Sequence, residues 1–63
     1  MSYKIKTKAD RQTAYMVAFA ELLLAKHPRL AGRIDWDAAR HYYLYGTPVS
    51  EAVDQYIIAR NIT

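Results

Sequence analysis

Asp37 and His41 stand one helical turn apart, a spacing that places a carboxylate and an imidazole side by side on a helix. Such a pair can open a metal site or an acid–base dyad. A zinc site needs three or four ligands, and nothing near this pair supplies the rest. The other histidine, His27, lies far upstream, and the chain has no cysteine. The expectation is a surface ion pair of Asp37 with Arg40 and His41, with no metal and no cofactor. Nucleophiles are equally scarce. The serines are Ser2 and Ser50, and neither has a histidine or carboxylate at a readable spacing. The run Gly46-Thr47-Pro48 lacks the glycines and the Lys-Ser/Thr of a phosphate loop. These residue types predict a protein that is not an enzyme.

The basic residues suggest a second chemistry. Lys4, Lys6, Lys8 and Arg11 crowd the N-terminus, with Tyr3 beside them. Cations interleaved with an aromatic ring can follow a nucleic-acid backbone while the ring stacks on a base. Met1 to Lys8 alternates in period two, which reads as an extended basic arm. Nucleic-acid binding through Tyr3, Lys4, Lys6, Lys8 and Arg11 is therefore the alternative function. A DNA-reading helix is a poorer match. The third helix expected below presents Glu51, Asp54 and Gln55 outward, and carboxylates facing phosphate oppose binding.

The aromatic residues suggest a third. Trp36, Tyr42, Tyr43 and Tyr45 crowd one short segment, and Leu44 and Ile58 fall on otherwise polar helix faces. Tyrosines beside exposed apolar side chains suit a protein interface. The expected contact residues are Tyr42, Leu44, Tyr45 and Ile58. Tyr43 and Tyr56 are expected in the core.

Three helices must position these groups. Thr13 to Ala25 carries one charge, Glu21, and organises the chain. A helix over Ala9–Lys26 is predicted, with Thr7 as a cap and Pro28 as its stop. Its apolar surface is about twice the usual stripe of roughly 100°, so it needs cover from two directions. Phe19 and Leu23 mark the flank for a helical hairpin to cover. Val17 and Leu24 mark the other, to be covered by Leu30, Ile34 and Ile62 or by a second chain. Residues 28–34 form a connection turning at Gly32. A second helix is predicted from Asp35 or Trp36 to Tyr45, capped by Asp35 and closed by Gly46, with Trp36, Ala38, Ala39, Tyr42, Tyr43 and Tyr45 sharing one half of its wheel. A third begins at Thr47 and Pro48, with Thr47 as side-chain cap, and ends near Arg60 or Asn61. Its inward stripe is Val49, Ala52, Val53, Tyr56, Ile57 and Ala59. The fold class is all-α: a long N-terminal helix packed by a C-terminal hairpin, one domain over 9–63 behind the arm of 1–8.

Sixty-three residues bound what such a fold can hold. A core this small supplies only about 3–5 kcal/mol, and without cysteine no disulfide supplements it. Half the residues are hydrophobic (52%), which excludes disorder. The net charge is +3, with the first half basic and the second mildly acidic, so the halves can attract each other within a fold or across a homodimer. The apolar run after the basic arm is interrupted by Glu21 and lacks a small-residue cleavage site, so it reads as neither signal peptide nor membrane span. A cytoplasmic location is expected. In length and lack of catalytic groups the chain is similar to small phage- or plasmid-encoded inhibitors and accessory proteins. The leading expectation is a protein-binding inhibitor or regulator, whose partner is another protein or a second copy.

Overall fold

The structure is a computed structural model that describes residues 8–62. Helix α1 spans Lys8–Lys26, α2 spans Trp36–Leu44 and α3 spans Val49–Ala59, with a 3-10 turn at Pro28–Leu30 between the first two helices. The all-α architecture is as the sequence predicts: α1 packs against both α2 and α3, which form the hairpin. The expected extended arm and the Thr7 cap fall on residues 1–7, outside the described residues. Lys8 already belongs to α1.

The breaks between helices follow from local chemistry. Pro28 pushes the residue before it out of the helical region, and His27 has φ −138° and ψ 77°. Gly32 takes the positive φ, +76°, that turns the connection. Gly46, also at φ +76°, ends α2. Its N–H donates to the Tyr43 carbonyl and the Thr47 N–H donates to the Tyr42 carbonyl, both at 3.0 Å. That double closure is a Schellman motif. It corrects the expected role of Thr47. Its N–H is taken by the closure, and its carbonyl accepts the Tyr15 hydroxyl at 2.5 Å. The N-cap of α3 is Pro48, with no side-chain capping bond, and α3 starts at Val49.

The same closure recurs at the end of α3. The Asn61 N–H donates to the Ile58 carbonyl at 3.1 Å and the Ile62 N–H to the Ile57 carbonyl at 3.0 Å. Here the left-handed residue is Asn61, at φ 54°. Asparagine tolerates that region less well than glycine. Asn61→Gly should therefore raise unfolding stability in urea by about 0.5 kcal/mol, and Asn61→Ala should lower it by a similar amount. An Asn61→Ala variant as stable as the parent would show that this turn contributes nothing.

The core forms where the three helices meet. Phe19, Leu23, Ala39, Ala52, Val53 and Tyr56 are buried. Phe19 meets Tyr56 edge-on at 5.4 Å between ring centres and stacks with Tyr42 at 6.2 Å. Tyr43 is half-buried with its ring against Tyr15, at 5.4 Å between centres. Leu30, Ile34 and Ile62 pack onto this core, and they leave the Val17 flank of α1 open, with Val17 exposed. Ala59 does not join the core: it is exposed at the last position of α3. The inward stripe of α3 outlasts its cover, because at that end the chain of α2 is only beginning and Arg60 reaches across to Asp35.

Candidate functional site

The apolar surface that the fold leaves uncovered lies on the far side of α1. Thr13, Val17, Ala20 and Leu24 are spaced by four, three and four residues, which aligns them along one helix face. Phe19 and Leu23 face the other way, into the core. With Met16 and with Trp36 from the start of α2, that face borders a cleft of about 420 Å³, rimmed by Gln12 and Glu21. Val17 is 51% exposed and Trp36 48% exposed. Isolated apolar side chains on a surface are ordinary, but these two share one concavity. The helical period places Trp36 on the same half of α2 as Ala39, Tyr42 and Tyr43. As the first residue of that helix it lies at the edge of the hairpin, where its ring borders α1 and remains half in solvent.

The position of Trp36 is set by Asp35. The Asp35 carboxylate caps α2, accepting from the N–H groups of Asp37 at 3.1 Å and Ala38 at 3.2 Å. It also pairs with Arg60. The Asp35 N–H donates to the Tyr56 hydroxyl at 3.1 Å, and the Arg60 guanidinium lies 4.7 Å from the centre of the Tyr56 ring. One aspartate thus ties the start of α2 to the end of α3. Its carboxyl is held below the usual range, first by the hydrogen bond from the Ala38 N–H, then by Arg60 and the Asp37 N–H, against a partial loss of hydration. At the other end of the hairpin, burial and then the nearby Tyr42 raise the pKa of Tyr15, which keeps its hydroxyl a donor to Thr47.

A carboxyl with a lower pKa folded than unfolded adds stability that is complete above its unfolded value, about 3.9, and is lost as pH falls through the folded value. The thermal midpoint should accordingly fall on acidification below about pH 4. Asp35→Asn keeps a capping side chain but removes the titration. It should lower the midpoint at neutral pH and flatten its acid dependence. Equal acid slopes in parent and variant would exclude Asp35 as the sensitive group.

The expected contact residues do not form one patch. Leu44 (62% exposed) and Tyr45 (85%) project together where α2 ends, while Ile58 (77%) lies near the end of α3. Asp35 contacts Tyr56 and Arg60, on either side of Ile58. Leu44 is nine residues beyond Asp35, about 13 Å along the helix at 1.5 Å per residue. Tyr42 is half-buried against Phe19. Of the alternative nucleic-acid residues, Tyr3, Lys4 and Lys6 lie outside the described residues, Lys8 opens α1, and Arg11 is exposed one turn in. On α2, Asp37 pairs with Arg40 at 3.6 Å. Among the described residues no three His, Cys, Asp or Glu side chains are grouped to hold a metal ion, and no helix is long and apolar enough to cross a membrane. The width of the α1 apolar surface was the signal for the cleft. Trp36 as its second wall depends on how α2 crosses α1, which no local pattern encodes. Compared with known proteins, the chain matches no family model, no curated protein and no solved structure.

Proposed function

We propose that this chain is a non-enzymatic protein–protein interaction module, an inhibitor or regulator that acts by covering a partner's surface through the cleft between α1 and Trp36. The observation that carries the reading is that Val17 and Trp36, each about half exposed, border one apolar concavity with Met16, Ala20 and Leu24. A tryptophan at the wall of an apolar cleft is the kind of anchor on which binding energy concentrates. Size adds to the argument. The buried core holds two alanines among six residues, and a chain without disulfides gains stability by burying a further face against a partner. A second copy is one such partner, because every molecule carries the same uncovered face.

The test is capture of protein from the source lysate on immobilised chain, comparing the parent with Val17→Asp, alongside light scattering of the parent over a range of concentrations. Loss of capture, or of a concentration-dependent dimer, in Val17→Asp supports the reading. A parent that stays monomeric and captures nothing overturns it.

A further inference from the structure

A second concavity lies beyond the end of α1, and its chemistry differs from that of the cleft. From Leu22 to Ile34 the sequence carries Lys26, His27, Arg29 and Arg33 and no carboxylate. The fold gathers the first three around a recess of about 400 Å³ whose other walls are Pro28, Leu30 and Ile62. Its walls are held from both sides. The Leu30 N–H donates to the His27 carbonyl at 3.0 Å and the Ala31 N–H to the Pro28 carbonyl at 3.2 Å, which fixes the 3-10 turn. The reversal at Asn61 carries Ile62 back, its N–H bound to the Ile57 carbonyl.

The ion pairs among the described residues are Arg40 with Asp37 and Arg60 with Asp35, so neither Lys26 nor Arg29 has a carboxylate partner there. Leu30 and Ile62 pack on the core below and offer apolar surface to the recess. Lys26 has a competing role: in the last turn of α1 its charge offsets the negative end of the helix. Arg29 stands outside α1 and is not needed for that. Its planar fork suits an oxyanion.

We infer that this recess is a binding site for a small organic anion, a charged oxyanion group carried on a short apolar body. The cations of Lys26 and Arg29 take the oxyanion, and Pro28, Leu30 and Ile62 take the body. The volume lies within the range of ligand pockets, roughly 300–1,000 Å³. Neither half of such a ligand would suffice alone, because exposed cations are screened within about 8 Å at physiological salt.

The experiment is titration of the intact chain with hexanoate, with hexanol and with inorganic phosphate, followed by amide chemical shifts. Hexanoate should move the resonances of Lys26, His27, Arg29, Leu30 and Ile62 to saturation. Hexanol and phosphate at equal concentration should move them at least about fivefold less, since each supplies half of the recognition. Arg29→Ala, an exposed position, should keep the fold and weaken hexanoate about fivefold or more. Hexanol acting as well as hexanoate would reduce the site to apolar surface, and phosphate acting as well would reduce it to counter-ion attraction. Either result, unsaturable shifts, or an Arg29→Ala variant that binds unchanged, overturns the inference.

Discussion

Phe19→Ala should leave the chain largely unfolded at 25 °C. Phe19 is fully buried and touches both arms of the hairpin, stacking with Tyr42 of α2 and meeting Tyr56 of α3 edge-on. Truncating a buried phenylalanine costs about 3–5 kcal/mol, from lost transfer free energy plus the cavity left behind. A domain of this size holds a margin of about the same magnitude. Little relaxation is available to fill the hole. Its neighbours include Ala39 and Ala52, which have no side chain to extend. Phe19→Leu should be milder, because it keeps most of the volume and loses mainly the ring contacts, worth about 0.5–1.5 kcal/mol each. Circular dichroism with urea titration reads both. The alanine variant should lack a cooperative transition, and the leucine variant should retain one at a lower midpoint. A Phe19→Ala chain with the parent's midpoint would show that the hairpin is not held through this residue.

That core was legible in the sequence because it rests on helical period and on breakers. Pro28 and Gly46 divide the chain wherever it folds, and Asp35 before a tryptophan and an aspartate reads as a cap in any context. Phe19 and Leu23 fall one turn apart on one flank of α1, so their burial needs only the existence of the hairpin. Thr47 departs from its expected capping role for a physical reason. A threonine before proline satisfies the local rule for a cap, but the glycine before it sets up a closure that uses the threonine backbone instead. Ala59 is exposed although it lies on the apolar stripe, because a stripe on one helix says nothing about where the opposing helix stops. The cleft was half legible. Its α1 wall follows from the surplus of apolar residues at Val17, Ala20 and Leu24. Its Trp36 wall follows from the Asp35–Tyr56–Arg60 linkage, which joins residues distant in sequence. The dispersed positions of Leu44 and Ile58 have the same origin: each helix face was read correctly as exposed, while their separation is set by the antiparallel turn between them.

Val17→Asp should abolish partner capture while leaving the domain folded. Val17 is half exposed and in mid-helix, so the change costs the fold only the helix-propensity difference and some mutual repulsion with Glu21 one turn on, together under about 1 kcal/mol. In a complex that covers the cleft, the same carboxylate would be buried without a counter-charge, a penalty of several kcal/mol. The expected loss of affinity is therefore at least about a hundredfold. Trp36→Ala should weaken capture by about thirtyfold, near 2 kcal/mol, the scale of an interface anchor. It should also cost a little stability, because half of that ring is packed. Ile58→Asp makes the comparison decisive. Ile58 is as open to solvent as Val17 or more so, yet it lies on α3, outside the cleft. If the cleft is the contact surface, Ile58→Asp captures as the parent does and Val17→Asp does not. If the exposed residues of the hairpin are the contact surface, the two variants exchange outcomes. Thermal melts of all three decide that the differences belong to binding, since each variant should melt cooperatively within about 8 °C of the parent, as about 1 kcal/mol implies for a domain this small. Should Val17→Asp bind as the parent does while staying folded, the cleft is a gap in the packing and the assignment of α1 as a docking face fails.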